Sequence, residues 1–198
     1  MTITEPGVTS EEKRVVDLID DLLTSFPPDK TDAKVFLGEQ FDRGLAWVHF
    51  PEGFGGLGVA PGLQAVADGI LQGAGGPNPF WLNPMGYGMA GPTVMAHASR
   101  ELAAELLRAD YVCDDIWCQL FSEPGAGSDL AGLATRAVLD GDTWVINGQK
   151  VWTSNAHRAR RALLLARTDP DQPKHRGLTY FVLDMTDPGV EVLSLIHI

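Results

Sequence analysis

The chain has 198 residues, of which 44% are hydrophobic and 21% charged, values typical of a globular protein with one large domain or two small ones. Its formal net charge of -11 disfavours contact with nucleic-acid phosphates, and no basic stripe with interleaved aromatic residues offsets it. The longest strongly apolar run, residues 162–166, is far too short to cross a membrane. The N-terminus has neither the basic start nor the apolar core of a signal peptide. We therefore expect a cytoplasmic protein that neither inserts into membranes nor binds nucleic acid.

Neither the cysteines nor the histidines predict a metal site. Cys113 and Cys118 are not spaced as C-x-x-C, and the five histidines form no H-E-x-x-H cluster. We expect two reduced thiols that serve packing, and no bound metal.

The first half of the chain predicts helices. Thr9 and Glu12 have the spacing of a capping box, and the helix that follows should end at Pro27-Pro28. Ser99 is a predicted N-cap. Further helices are predicted over residues 32–44, 62–72, 92–98 and 100–109. Glycine-rich stretches around residues 50–58 and 75–79 are predicted breaks.

After residue 115 the pattern changes to short β-branched or aromatic runs bounded by turn residues. Asp140-Gly141 and Asn147-Gly148 predict tight hairpins, because these residues tolerate the positive φ that such turns need. Strands are predicted over residues 117–121, 134–139, 144–147, 150–154, 162–167, 178–184 and 190–193. The predicted fold class is α+β, with an N-terminal α-helical domain over residues 1–115 followed by a mostly antiparallel β domain over residues 116–192.

A glycine-rich turn, Ser122-Glu123-Pro124-Gly125-Ala126-Gly127-Ser128-Asp129, directly follows a predicted strand. Gly125 and Gly127 let the backbone approach a ligand closely, and exposed N–H groups suit a pyrophosphate. The turn is neither a Walker loop nor a G-x-G-x-x-G motif that opens a helix. An ordinary glycine turn between strands is the alternative interpretation.

A second segment, residues 147–155, contains Trp152 followed by Thr153 and Ser154. A buried Trp152 would offer a flat ring to shield an isoalloxazine, and a neighbouring hydroxyl could bond its N5 atom. The alternative is that Trp152 only fills the protein core.

Together the two segments resemble the acyl-CoA dehydrogenase family. Residues 118–129 are similar to the family's signature, and residues 147–155 to its second flavin segment. Further similarity lies in Gly55-Gly56-Leu57-Gly58 after Phe50-Pro51-Glu52, in Leu165-Ala166-Arg167-Thr168-Asp169, and in residues 177–182. The resemblance covers about residues 9–192. It implies an FAD-dependent oxidoreductase of fatty acid and lipid metabolism that introduces a Cα–Cβ double bond into acyl-CoA thioesters.

The resemblance also implies a set of cofactor-binding residues: Gln119, Phe121, Ser122, Gly127, Ser128, Trp152, Thr153 and Ser154. Among them, Phe121 and Ser122 would lie nearest the pyrimidine edge of the flavin. Trp152 would cover the ring face away from substrate, and Ser154 would donate a hydrogen bond to N5. The family often has Thr where this chain has Ser154, and both keep the hydroxyl.

For the substrate, the resemblance implies that Ser128 also reaches the acyl-CoA. Residues 83–93, which include Met85, Tyr87 and Met89, would lie towards the acyl tail. Glu123 and Asp129 invite a general acid–base interpretation, but in the family these two positions brace the turn. The family's catalytic base is a carboxylate in a C-terminal helical bundle that is absent here, so no catalytic residue is expected in this chain.

The end of the chain departs from the family pattern. Residues 193–198, Leu-Ser-Leu-Ile-His-Ile, look like the translation of a transposon-end adapter used in sequencing libraries, although a natural terminal strand is the alternative. We expect a fragment, itself inactive, whose second domain is a truncated antiparallel β-barrel-like domain.

The resemblance implies an acyl-CoA substrate, an electron-transfer flavoprotein as acceptor, and a homo- or hetero-oligomer for the complete enzyme. Two alternatives stay open. One is a flavin oxidase or monooxygenase on the same fold, and the other is an inert remnant.

Overall fold

The computed structural model describes residues 9–193, so that most of the suspected tail, residues 194–198, lies outside the described residues. The chain divides into two compact units, residues 1–114 and 115–198. The described part of the first unit is helical, and that of the second is built on a β-sheet.

The helices of the first unit follow the predicted order. They are α1 Ser10–Ser25, α2 Ala33–Asp42, α3 Leu63–Gly73, α4 Pro79–Leu82, α5 Gly91–His97 and α6 Arg100–Tyr111, with a π-helical turn at Gly86–Ala90 before α5. The predicted caps of α1 and α6 form, because the Thr9 and Ser99 hydroxyls each accept a backbone N–H. The sequence did not predict α4, although Asn78 caps it and Pro79 occupies its first turn, a pattern typical of helix starts.

The core of the first unit joins three helices to the segment between α2 and α3. Apolar side chains of α1, α2 and α3 pack with Leu45 and Val48 in one buried cluster. Beside it, the ring of Trp47 stacks on Phe50, with centroids 5.0 Å apart, and on Tyr87, with centroids 5.6 Å apart. The glycine-rich segment therefore contributes Phe50 and residues 54–57 to the packed core, whereas residues 51–53 are exposed.

The second unit is a five-stranded mixed sheet centred on β4. Its strands are β1 Trp117–Leu120, β2 Arg136–Asp140, β3 Thr143–Asn147, β4 Arg161–Arg167 and β5 Leu178–Asp184. β4 pairs with β5 antiparallel along its whole length, with β1 parallel, and with β2 parallel at one residue pair. β2 and β3 form a hairpin at Gly141, whose φ is 61°.

The predicted α+β class is confirmed, but the predicted antiparallel, barrel-like domain is only approximate. Both pairings of β4 other than that with β5 are parallel, and the described strands do not close into a barrel. The second predicted hairpin is wrong, because Gly148 lies without a positive φ against Thr135, where a Cβ atom would overlap the threonine side chain. No helix within residues 9–193 is long and apolar enough to cross a membrane.

Two predicted strands, residues 150–154 and 190–193, are wrong. Trp152 and Asn155 have φ values of 60° and 65°, in the left-handed region that a strand excludes. Residues 190–193 form no strand, and they follow a turn in which Asp187 accepts the backbone N–H of Gly189 and of Val190. Both segments contain the β-branched or aromatic residues typical of strands, but this composition does not decide their conformation.

Gly56 tests the packing of the glycine-rich segment in the first unit. A Cβ atom at Gly56 would overlap the backbone of Phe50, whereas a Cβ at Gly69 on α3 meets nothing within 4 Å. We expect Gly56→Ala to lower the free energy of unfolding of the first unit by on the order of 1–3 kcal/mol. Gly69→Ala should raise it by up to about 1 kcal/mol. Urea unfolding followed by the helical circular-dichroism signal measures both, and equal stability of the two variants would contradict this packing.

Candidate cofactor site

The glycine turn that follows β1 is closed by its own backbone. Glu123 and Ala126 exchange two N–H···O bonds, of 2.9 and 3.1 Å, with Pro124 and Gly125 at the tip. A Cβ atom at Gly125 or Gly127 would meet nothing within 4 Å, and neither has a positive φ. Neither packing within the described residues nor a positive φ therefore requires glycine at these two positions, and a role in contacting a ligand stays a prediction.

Glu123 ties this turn to the start of β2. One carboxylate oxygen accepts the backbone N–H of Ala134 at 2.6 Å, and the other accepts that of Thr135 at 2.9 Å and the Lys150 ammonium at 2.8 Å. Glu123 therefore braces the turn, as the resemblance implied for this position.

The charge state of this buried pair follows from its surroundings. Burial by itself raises the pKa of Glu123, but the hydrogen bonds from Lys150 and from the backbone of Ala134 and Thr135 outweigh it and lower the pKa to about 2. Burial lowers the pKa of Lys150, and Glu123 only partly offsets that effect. A carboxylate with so low a pKa stays ionised near neutral pH and is a weak proton acceptor. The geometry thus disfavours Glu123 as a general base.

The second predicted segment is bonded directly to the glycine turn. The backbone N–H of Val151 donates to the Ser122 carbonyl at 2.8 Å, and Lys150 Nζ donates to the Phe121 carbonyl at 3.0 Å. With the Lys150–Glu123 pair, these contacts bring residues 121–123 and 150–151 together. Two segments that the sequence keeps well apart thus form one structure.

The expectation of a buried Trp152 is wrong, since this residue is 78% exposed. The left-handed backbone at Trp152 and Asn155 turns the chain here, and the indole is not packed into the sheet. Thr153 Oγ1 is buried and has no hydrogen-bond partner among residues 9–193, whereas Ser154 is exposed. An exposed ring beside a buried, unbonded hydroxyl is an arrangement that a bound ligand would complete.

The other predicted site residues lie along β1 and the turn. Gln119 is half-buried on β1, opposite Leu163 of β4. Phe121 is half-buried, with its ring centroid 5.5 Å from that of Tyr180. Gly127 and Ser128 are exposed at the far side of the turn.

Two basic residues matter here that the sequence did not single out. Lys150 joins the two segments, and Arg167 donates to the carbonyls of Ala131 at 2.6 Å and Leu133 at 3.4 Å, just after the turn. Both lie inside segments quoted for the family resemblance, but a lysine or arginine on its own predicts only a solvated charge. Nearby, Lys174 pairs with Asp129. No group of three or more potential metal ligands occurs in the described part of the chain.

The predicted acyl-tail segment lies in the first unit and is largely occupied by packing. Asn83 Nδ2 donates to the Asp110 side chain at 2.7 Å, and both residues are buried. Tyr87 is half-buried and stacks on Trp47, and burial raises its pKa to about 12. Met85 and Met89 are half-buried. A role for this segment towards an acyl tail stays a prediction.

Comparison with known proteins bears on the family. Residues 118–197 match the family model of the acyl-CoA dehydrogenase middle domain. The chain is 47% identical over 154 residues to acyl-CoA dehydrogenase FadE34 of Mycobacterium tuberculosis, an alignment that covers 78% of this chain and 21% of that protein.

Solved structures of acyl-CoA dehydrogenases are also similar to this chain. The Tcur3481-Tcur3483 steroid ACAD is 30% identical with a TM-score of 0.63, over 96% of this chain and 50% of that one. A glutaryl-CoA dehydrogenase from Mycobacterium smegmatis in complex with FADH2 is 24% identical with a TM-score of 0.56, over 91% of this chain and 47% of that one, a likeness of fold. The predicted family resemblance is confirmed. The chain spans between 21% and 40% of the length of the curated relatives it matches.

The low pKa of Glu123 predicts the pH dependence of the second unit. Folding lowers this pKa from 4.5 to about 2, so the stabilisation is complete above the unfolded-state pKa of 4.5 and is lost as the pH falls towards 2. It amounts to at most about 3 kcal/mol. We expect Glu123→Gln to lower the stability of the sheet at pH 7 and to flatten its fall between about pH 5 and about pH 2.

Glu191→Gln provides the matched control, because Glu191 is exposed. Urea unfolding at several pH values, followed by the NMR amide signals of β4 and β5, measures the effect. An identical pH dependence in wild type and Glu123→Gln would contradict the assignment.

Proposed function

Taking the chain as a relative of the acyl-CoA dehydrogenases, we propose that it is the N-terminal part of an FAD-dependent enzyme that introduces a Cα–Cβ double bond into acyl-CoA thioesters. One observation carries the proposal. The two segments assigned to flavin binding are held together by Val151 N–H···O=C of Ser122 and by the Lys150 ammonium on Phe121 and Glu123.

The residues present fit FAD. Gly125 and Gly127 leave open space above an exposed backbone, as a pyrophosphate requires. The indole of Trp152 offers a free aromatic face for the ring system. Thr153 Oγ1, buried without a partner among residues 9–193, supplies a hydroxyl for a polar atom of a ligand.

The resemblance assigns the remaining site residues to parts of the cofactor and substrate. Gln119, Phe121 and Ser122 would line the ring and its pyrimidine edge, Gly127 and Ser128 would meet the pyrophosphate, and Ser128 would also contact the acyl-CoA. Trp152 would cover one ring face, and Ser154 would donate to N5. Bound FAD supplies the two-electron acceptor for the hydrogen that leaves the substrate's β-carbon. This chain's own residues bind and orient that group and shield one of its faces from water.

Proton abstraction from the α-carbon needs a base, and we assign none to this chain. Glu123 has its carboxylate engaged by three donors and a pKa of about 2, which suits a structural anion. We place the base, and the groups that polarise the thioester carbonyl, outside these 198 residues.

For the complete enzyme we propose an acyl-CoA as substrate, an electron-transfer flavoprotein as acceptor, a homo- or hetero-oligomeric assembly, and a cytoplasmic location. The length of the relatives supports a larger protein, since the chain spans 21% of FadE34 of Mycobacterium tuberculosis.

Trp152 tests the cofactor assignment. Loss of an aromatic stacking contact of about 0.5–1.5 kcal/mol should weaken FAD binding about two- to tenfold in Trp152→Ala. Trp81→Ala is the matched control, because Trp81 is also 78% exposed but lies in the first unit. A titration of FAD fluorescence quenching compares the two variants with wild type. Equal affinities in all three proteins would remove Trp152 from the site.

Turnover tests the absence of a base. The purified chain, loaded with FAD and assayed on a panel of acyl-CoA thioesters with an artificial electron acceptor, should show no dehydrogenation. Loss of general-base catalysis alone removes on the order of 10²–10⁴ in rate. FAD-dependent turnover that survives repurification, and that Glu123→Gln abolishes, would contradict the proposal and make Glu123 the base.

A further inference from the structure

The ion pair between Lys150 and Glu123 is the most deeply buried one that the structure describes. The two side chains are 6% and 7% exposed, whereas the other described pairs are more open to solvent. Removing two charges from water is costly, and apolar side chains of similar volume often stabilise a fold equally well. A contribution to folding stability alone therefore does not explain why the chain has a buried ion pair here.

The geometry offers a better reason. Lys150 Nζ bonds both the Phe121 carbonyl and Glu123, on either side of Ser122, whose carbonyl accepts the N–H of Val151. Glu123 is fixed in turn by two backbone N–H groups at the start of β2. The Lys150 ammonium thus fixes the position of the segment that begins at Lys150 relative to the glycine turn.

The segment from Lys150 to Asn155 requires stabilising contacts at both of its ends. Trp152 and Asn155 have a left-handed backbone, which persists only where surrounding contacts determine it. On the far side, the Asn155 carbonyl accepts the N–H groups of Arg158 at 3.0 Å and Ala159 at 2.9 Å. On the near side, the anchors are Val151 and Lys150.

We propose that Lys150 is a positioning residue, whose ion pair with Glu123 holds the Trp152 turn in place before a cofactor binds. The inference rests on the proposed function, because it makes this turn one wall of a preformed FAD site. Preformed binding geometry lowers the ordering cost of association, so the pair contributes to cofactor affinity without touching the cofactor.

Backbone amide exchange of Val151 in the full chain without FAD tests the positioning directly. Lys150→Met keeps the length of the side chain and removes the ammonium. The double variant Lys150→Met/Glu123→Gln removes both charges, so that no buried carboxylate is left unpaired. In both variants we expect Val151 protection to fall at least about tenfold further than that of the amides of β4 and β5, whose smaller loss reports the lower stability of the whole sheet. Lys150→Arg should restore part of the protection, because it keeps the charge.

Lys174→Met is the matched control. It breaks the exposed Lys174–Asp129 pair beside the same turn and should leave Val151 unchanged. Unchanged Val151 protection in the double variant would overturn the proposal. So would an equal loss of protection at Val151 and throughout β4 and β5, because the pair would then be a general stabiliser.

An FAD titration separates this inference from the proposed function. If wild type binds FAD, the double variant should bind about tenfold more weakly, which corresponds to about 1.4 kcal/mol. Adding Trp152→Ala to it should then cost less than Trp152→Ala costs in wild type, because the ring is already misplaced. Wild type that binds no FAD would refute the proposed function, whereas Val151 exchange would still decide whether Lys150 positions the turn. Full FAD affinity in the double variant would overturn the inference alone.

Discussion

The carboxylate of Glu123 is the contact on which the second unit's candidate site depends. It joins the glycine turn after β1, the two residues directly before β2 and the segment that follows β3, all through hydrogen bonds to charged or backbone donors. A buried carboxylate needs such donors, because desolvation without them would force it to take up a proton. The same bonds that keep Glu123 ionised therefore fix three chain segments relative to one another.

The sheet supports the chain segments that Glu123 joins. β4 is central and buried along its length, so β1 and β5 are held on either side of it, and the turn leaves β1 from a rigid edge. Most residues of the proposed site lie on turns carried by that sheet, and Gln119 lies on β1 itself. Such an arrangement combines a fixed scaffold with exposed backbone N–H groups and hydroxyls, as binding sites on loops commonly do.

The sequence predicts a structural feature well when the contacts that determine it lie close together along the chain, and poorly when they lie far apart. Local signals were sufficient for the caps of Thr9 and Ser99, the helix order and the hairpin at Gly141. Motif resemblance was sufficient for the family and for the glycine turn. Predictions failed where a long-range contact decides the outcome. Residues 150–154 have the composition of a strand, but a left-handed backbone at Trp152 makes them a turn, and the parallel pairing of β1 with β4 leaves no local pattern.

We propose that residues 121–128 and 151–154 form one FAD site. Mapping of backbone amide NMR shifts on addition of FAD to the uniformly labelled chain tests it most directly. Shifts should concentrate in these two segments and leave α1–α3 unaffected. Shifts confined to the first unit, or to only one of the two segments, would contradict it.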